Sequence, residues 1–206
     1  MAKKATVKAT TKSTVKSTLK KTAKKATVKV TAAQKAQPKK IAATAVKNSD
    51  GADSMLGKKV PSFKCLDSQG KQFDLSKQKG RKTVFYFYPK DDTPGCTIEG
   101  NEFSQLNDHF LKNKTDVFGI SRDSVKSHDK FKCKFNFTFE LLSDEDEKIC
   151  KIFEVIKQKN MYGKMVMGIE RSTFILDEDL KVIFAERKVK AEGHAQVILD
   201  RILSIG

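Results

Sequence analysis

Over the C-terminal three-quarters of the chain the spacing of apolar positions changes several times, and each change marks a new element. Thr83 to Tyr88 (TVFYFY) is uncharged, aromatic and β-branched, the pattern of a strand buried on both faces, and it stops at Pro89. Beyond a polar turn, Ile98, Phe103, Leu106, Phe110 and Leu111 recur near helical spacing, which predicts a helix from about Cys96 to Leu111. Asp116 to Ser121 (DVFGIS) reads as a second strand. Ser124 to Lys134 reads as a second helix, opened by an Asp123/Ser124 cap. Phe137 to Leu142 is extended, and Asp144 to Val155 is helical with acids in its first turn. Ser172 to Asp177 and Lys181 to Ala185 pair around the turn Glu178, Asp179, Leu180, and Gly193 to Leu203 closes the chain as a helix. Strands alternating with helices, then a hairpin and a helix, predict an α/β domain with a central mixed sheet.

No such pattern exists before Phe63, where there is no aromatic residue at all. The chain has 206 residues and a formal net charge of +16. Residues 1–49 hold 14 Lys, no Arg and no acid, so nearly all of the excess charge lies in this tail. A segment of Lys, Ala and Thr cannot bury enough apolar surface to offset its ordering entropy, which predicts a disordered tail over 1–54. It is also repetitive: AKKATVK stands at Ala2 to Lys8 and again at Ala23 to Lys29. Lysines such as Lys3, Lys4, Lys20, Lys21, Lys24, Lys25, Lys39 and Lys40 are suited to neutralising phosphates without reading sequence. Nucleic acid is therefore a candidate partner, with a merely solubilising extension as the other reading. The tail resembles the lysine-alanine tails of linker histones and of histone-like bacterial proteins.

Asn48 to Gly51 mark the change of composition, and residues 55–206 are enough for one domain that buries roughly two-thirds of its unfolded surface. No stretch approaches the roughly 18 consecutive apolar residues of a spanning helix. The start of the chain lacks an apolar h-region, and the tail lacks the Arg of a transit peptide. These features predict a cytoplasmic protein, with nucleoid or nuclear association through the tail.

The candidate chemistry lies in Pro89-Lys90-Asp91-Asp92-Thr93-Pro94-Gly95-Cys96, between the buried strand and the first helix. A thiol at a helix start meets free backbone N–H groups and the positive end of the helix dipole, both of which favour the thiolate. Thr93 can place a hydroxyl beside that sulfur, and Pro94 removes an N–H and fixes φ. Taken as a class, lone cysteines are more often small buried hydrophobes than catalysts. The loop position argues instead for a reactive, partly exposed nucleophile. Cys65, Cys96, Cys133 and Cys150 form no C-x-x-C pair, and His109, His128 and His194 are scattered, so metal chemistry has little support. No Gly-rich phosphate loop and no G-x-S-x-G elbow is present. His109 and His128 read as helix-surface residues without a catalytic role.

Pro89-x-x-x-Thr93-x-x-Cys96 resembles the active-site pattern of the peroxiredoxins, and FYFYPKDDTPGCTIEGNEF is similar to the bacterioferritin comigratory protein, or peroxiredoxin Q, branch. The likeness continues through ISRDSVKSHDKF, LLSDEDEKIC, NMYGKMVMGIERSTFILDEDLKV and RKVKAEGHA, and covers almost all of 55–206 and none of the tail. It implies a thioredoxin-like fold and a thiol peroxidase acting on hydrogen peroxide and organic hydroperoxides without a cofactor. Cys96 would be the peroxidatic cysteine, oxidised to a sulfenic acid. Thr93 would hydrogen-bond the peroxide, Arg171 would be the active-site arginine, Glu99 would help to hold it, and Pro89 opens the motif. The branch also implies a monomer and a dithiol reductant such as thioredoxin.

In the commonest members of the branch the resolving cysteine lies five positions after the peroxidatic one, where this chain has Asn101. A second subgroup carries it in the following helix, within SHxxFC. This chain has Ser127-His128-Asp129-Lys130-Phe131-Lys132-Cys133, with the thiol one residue later. One residue turns a helical side chain by about 100°. Cys133 is thus the candidate resolving cysteine, with Lys130, Lys132 and Lys134 around it to favour its thiolate. A one-cysteine enzyme reduced by an external thiol is the alternative, and Cys65 and Cys150 read as structural.

Overall fold

The computed structural model describes residues 53–161 and 164–205. The lysines of the basic tail, and with them the expectation of disorder and of a phosphate-binding arm, lie outside the described residues. The described part is built on a seven-stranded mixed sheet of order β2-β1-β5-β4-β3-β8-β9. Its strands are β1 (Lys64–Asp67), β2 (Gln72–Asp74), β3 (Lys82–Phe87), β4 (Thr115–Ser121), β5 (Glu140–Ser143), β8 (Ser172–Leu176) and β9 (Val182–Arg187). Strands β6 (Ile156–Met161) and β7 (Lys164–Ile169) form a separate antiparallel ribbon. The helices are α1 (Pro94–Lys112), α2 (Val125–Phe135), α3 (Lys148–Ile152) and α4 (His194–Ile205).

Strand β3 organises the domain. It pairs in parallel with β4 and antiparallel with β8, and its alternate residues enter two different cores. Phe85 and Phe87 join Phe63, Phe73, Phe118, Phe153 and Cys150 on one face. Val84, Tyr86 and Tyr88 join Cys96, Phe103, Phe131, Phe137 and the apolar side of α4 on the other. Each large side chain so buried contributes roughly 1.5–3 kcal/mol, which is why an uncharged aromatic run occupies the centre of the sheet. Gly100 brings α1 close to the segment after α2: a Cβ there would lie 2.5 Å from Phe137 Cζ.

Three features depart from the sequence pattern. The helix over Asp144 to Val155 shrinks to Lys148–Ile152, because Glu147 is left-handed (φ 61°) and Glu154 is left-handed again (φ 54°). Asp144 instead accepts from the N–H groups of Ile149 (3.0 Å) and Cys150 (2.7 Å). Residues 156–161 and 164–169 pair as the β6–β7 ribbon, although their polar and methionine-rich residues show no strict alternation. His128 is not a helix-surface residue: its side chain is 0 % exposed, because hydrogen bonds on both ring nitrogens allow it to be buried.

Candidate active site

The register of β3 with β8 pairs Phe87 with Ser172, so Arg171 lies at the end of β3 where the chain leaves the sheet for the loop. That loop leads into α1, whose N-cap is Thr93 and whose first three residues are Pro94, Gly95 and Cys96. Two segments 75 residues apart thereby meet, and the Arg171 guanidinium donates through Nη2 to Cys96 Sγ at 3.2 Å. The same guanidinium donates through Nη1 to Glu99 Oε2, one turn along α1. Gly95 lies beside this approach, where a Cβ would make ordinary van der Waals contact with Arg171 Nη2 at 3.5 Å.

Cys96 is 2 % exposed, so the expectation of partial exposure fails. The reason is the aromatic cluster on that face of the sheet, in which the residue is packed with Tyr86 and Phe103. Its sulfur therefore faces a fixed cation in the first turn of α1 with little competing water. Such a site can hold a sulfur anion, and can also stabilise negative charge developing on an atom beside it.

Glu99 is 0 % exposed, and its Oε1 has no partner among the described residues. Burial pushes its carboxyl up to about 7, with the Arg171 charge opposing the rise. Glu99 and Cys96 hold the Arg171 guanidinium above its ordinary range, against the effect of its own burial. His194, at the start of α4, is buried with Nε2 2.9 Å from Thr173 Oγ1; burial and then the Arg171 charge push it down to about 4.

Thr93 caps α1 through its backbone position and forms no side-chain cap. Its hydroxyl donates to the Lys90 carbonyl at 3.0 Å, inside the loop, which leaves its lone pairs free as acceptors. Pro89 is exposed immediately after the last aromatic residue of the run. Cys133 is exposed on α2, with Sγ donating to Asp129 Oδ1 at 3.7 Å, and all four cysteines are free thiols. Two of the lysines expected around it are engaged elsewhere: Lys132 with Glu140 and Lys134 with Asp92. Cys96, Glu99 and Arg171 are thus brought together, Thr93 stands at the rim, and Cys133 is apart from them.

Two residues of this region carried no separate signal in the sequence. Asp91, in the loop, and His128, in α2, make a buried pair with Nδ1 2.9 Å from Oδ2. Spacing alone does not reveal it, because 37 residues separate them. Among the described residues no group of three or more His, Cys, Asp or Glu side chains could hold a metal ion, and no helix is long and apolar enough to cross a membrane.

Comparison with known proteins places this geometry in context. The model of the AhpC/TSA family matches residues 56–185. Peroxiredoxin Bcp of Xanthomonas campestris is 54% identical over 132 residues, covering 64% of this chain and 82% of that protein. Peroxiredoxin Bcp of Bacillus subtilis is 41% identical over 147 residues, 71% of this chain and 94% of that one. Among solved structures, that of the X. campestris bacterioferritin comigratory protein, described through its alkyl peroxide reduction activity, superposes with a TM-score of 0.67 at 50% identity. It spans 69% of this chain and 91% of its own. A cysteine-to-serine mutant of Xylella fastidiosa PrxQ gives a TM-score of 0.72 at 42% identity, with 75% and 99% covered. On the sequence match, the shared fold and these relatives, the chain belongs to the AhpC/TSA family, as a thiol-dependent peroxidase of the peroxiredoxin Bcp/Q branch with the thioredoxin-like fold.

Proposed function

We propose that Cys96 is the peroxidatic cysteine of this peroxidase and that its substrates are hydrogen peroxide and alkyl hydroperoxides. The observation that carries the assignment is the Arg171 guanidinium donating to Sγ at 3.2 Å, at the first turn of α1. The thiolate attacks one peroxide oxygen, the O–O bond breaks, and the other oxygen leaves as water or an alcohol after taking up a proton. The sulfur is oxidised to the sulfenic acid and the peroxide is reduced. Arg171 stabilises both the thiolate and the charge on the departing oxygen. Glu99 holds the guanidinium in place, and the Thr93 lone pairs accept the peroxide O–H. The alkyl substrates follow the activity described for the similar X. campestris protein.

Cys133 is the resolving cysteine in this reading. Its sulfur attacks the Cys96 sulfenic sulfur, an S–S bond forms, the S–O bond breaks, and hydroxide leaves as water with the thiol proton. Because Cys96 is buried and Cys133 faces outward, the pair joins only after backbone movement. Thioredoxin or a similar dithiol then reduces the disulfide. Non-reducing peptide mapping after one equivalent of hydrogen peroxide tests both assignments. A Cys96–Cys133 disulfide, absent in Cys96→Ser, is expected. Sulfenic acid on Cys96, or sulfinic acid on the fraction that meets a second peroxide, with three untouched thiols would leave a one-cysteine enzyme, and an unchanged Cys96 would overturn the peroxidatic assignment.

The charge of the tail favours a second activity, sequence-independent binding of nucleic acid. Gel retardation of duplex DNA that weakens with salt and is lost on removing residues 1–49 is the expected result. Retardation unchanged by the truncation would reject the tail as the cause.

A further inference from the structure

The loop before Cys96 reaches across to α2 through two consecutive carboxylates. Asp91 is 7 % exposed, and its carboxylate accepts from Tyr88 Oη (2.7 Å), Ser127 Oγ (2.7 Å) and His128 Nδ1 (2.9 Å). On the other side of the ring, His128 Nε2 lies 3.2 Å from the Leu142 carbonyl. Both faces of the ring thus meet protein oxygens, so His128 is held between the loop carboxylate on one side and β5 on the other. The backbone N–H of Asp91 donates to Asp123 Oδ2 at 2.9 Å, which anchors the loop to the end of β4. One residue on, Asp92 is left-handed (φ 54°) and accepts from Lys134 Nζ at 2.8 and 2.6 Å. The loop therefore grips α2 at His128 and at Lys134, and Cys133 lies between the two grips in sequence. None of these groups bonds to the Cys96 sulfur among the described residues.

This arrangement penalises opening of either side alone. If the loop lifted away, the buried His128 ring would lose its carboxylate partner. If α2 lifted away, Asp91 would be a buried carboxylate short of a donor. A buried charged partner left alone is costly, whereas both groups are well solvated if loop and helix open together. We propose that Asp91 and His128 form a clip that makes the Cys96 loop and α2 open as one unit, and that this joint opening sets the rate at which the Cys96 sulfenic acid is passed to Cys133. The second half rests on the reading of Cys133 as the resolving cysteine. Asp91 and His128 are positioning residues, since neither touches the reacting atoms.

The test uses the full chain with two readouts: amide hydrogen exchange over residues 91–98 and 125–135, and the rate of Cys96–Cys133 disulfide formation after one equivalent of hydrogen peroxide. His128→Phe fills the ring's space without a donor. It is expected to raise exchange in both segments about ten- to a hundredfold, the range for losing a hydrogen bond to a charged group, and to speed disulfide formation in step. His128→Asn, whose amide can replace Nδ1 as donor to Asp91, is expected to recover most of the coupling. If His128→Phe does not fold, Lys134→Ala provides the milder break, with a rise of about two- to threefold expected in both segments because its pair is exposed. Exchange that rises in α2 while the loop stays protected, or that stays unchanged in both, overturns the clip. Faster exchange with an unchanged rate of disulfide formation overturns its control of the transfer. Absence of a Cys96–Cys133 disulfide from the parent rejects the resolving reading, and the transfer half falls with it; hydrogen exchange then decides the coupling by itself.

Discussion

Cys96 and Cys150 lie on opposite faces of the same sheet, at 2 % and 0 % exposure, yet their neighbours give them opposite electrostatic surroundings. Beside Cys96 stands the Arg171 guanidinium. Beside Cys150 stands the Asp144 carboxylate, and burial together with that charge pushes the Cys150 thiol far above its ordinary range. Cys65 follows the same rule on the same side of the sheet: burial first, and then Asp144, push it up to about 12. The Cys96 and Cys150 sulfurs are both withdrawn from water. What separates the surroundings of Cys96 from those of Cys150 and Cys65 is the sign of the nearest fixed charge.

The contrast can be broken most severely at the guanidinium. Arg171→Met is expected to lower kcat/KM for hydrogen peroxide about 10²- to 10³-fold, the range for removing one preorganised donor from a developing anion. Arg171→Lys should fall between the two, because a point charge cannot face Glu99 and Cys96 at once. Stopped-flow peroxide consumption decides this, and a loss of less than about threefold in Arg171→Met would mean that the helix start alone activates the sulfur.

A smaller effect sharpens the other half of the comparison. Cys150→Ser is expected to leave peroxide turnover unchanged while lowering stability by about 1–3 kcal/mol, the cost of placing a hydroxyl in an apolar core. Urea unfolding and the peroxidase assay on one preparation measure both. Loss of turnover in a folded Cys150→Ser would show that the thiol is not merely structural.

The smallest expected change is in the pH dependence of stability. Glu99 has a folded pKa raised from 4.5 to about 7, so between these values the folded state binds more protons, and its contribution to stability falls as pH rises. His194 has a folded pKa lowered from 6.5 to about 4, so its contribution is lost as pH falls through that window. The two oppose each other over much of the same range. Glu99→Gln removes the first and leaves the second, so the variant should gain stability more steeply than the parent as pH rises from 4.5 to 6.5. Parallel urea midpoints across that range would show that Glu99 does not titrate there.

The strand TVFYFY was legible because both of its faces are apolar, and the start of α1 because Pro and Gly precede a helical period. Cys96 followed from that junction. Arg171 did not: alone it is a charge before a strand, and only the longer family pattern singled it out. Residues 156–169 hid their ribbon because polar and methionine side chains alternate weakly, and backbone pairing there does more than burial. The burial of His128 leaves no sign in the sequence, because a polar residue in a lysine-rich helix suggests solvent; its burial depends on Asp91, 37 residues away. Side chains that satisfy one another across the fold leave no periodic trace in either segment.

The close approach at Gly100 has a consequence for variation at that position. In an isolated helix, alanine there would be favoured over glycine by about 1 kcal/mol. Here the added methyl would meet the Phe137 ring at 2.5 Å, against a stack that continues through Phe135 and Phe139. The helix that carries Cys96 in its first turn thus forgoes intrinsic helical strength for contact with the segment that follows α2. Even the smallest side chain at this point would act as a wedge between α1 and the segment that follows α2.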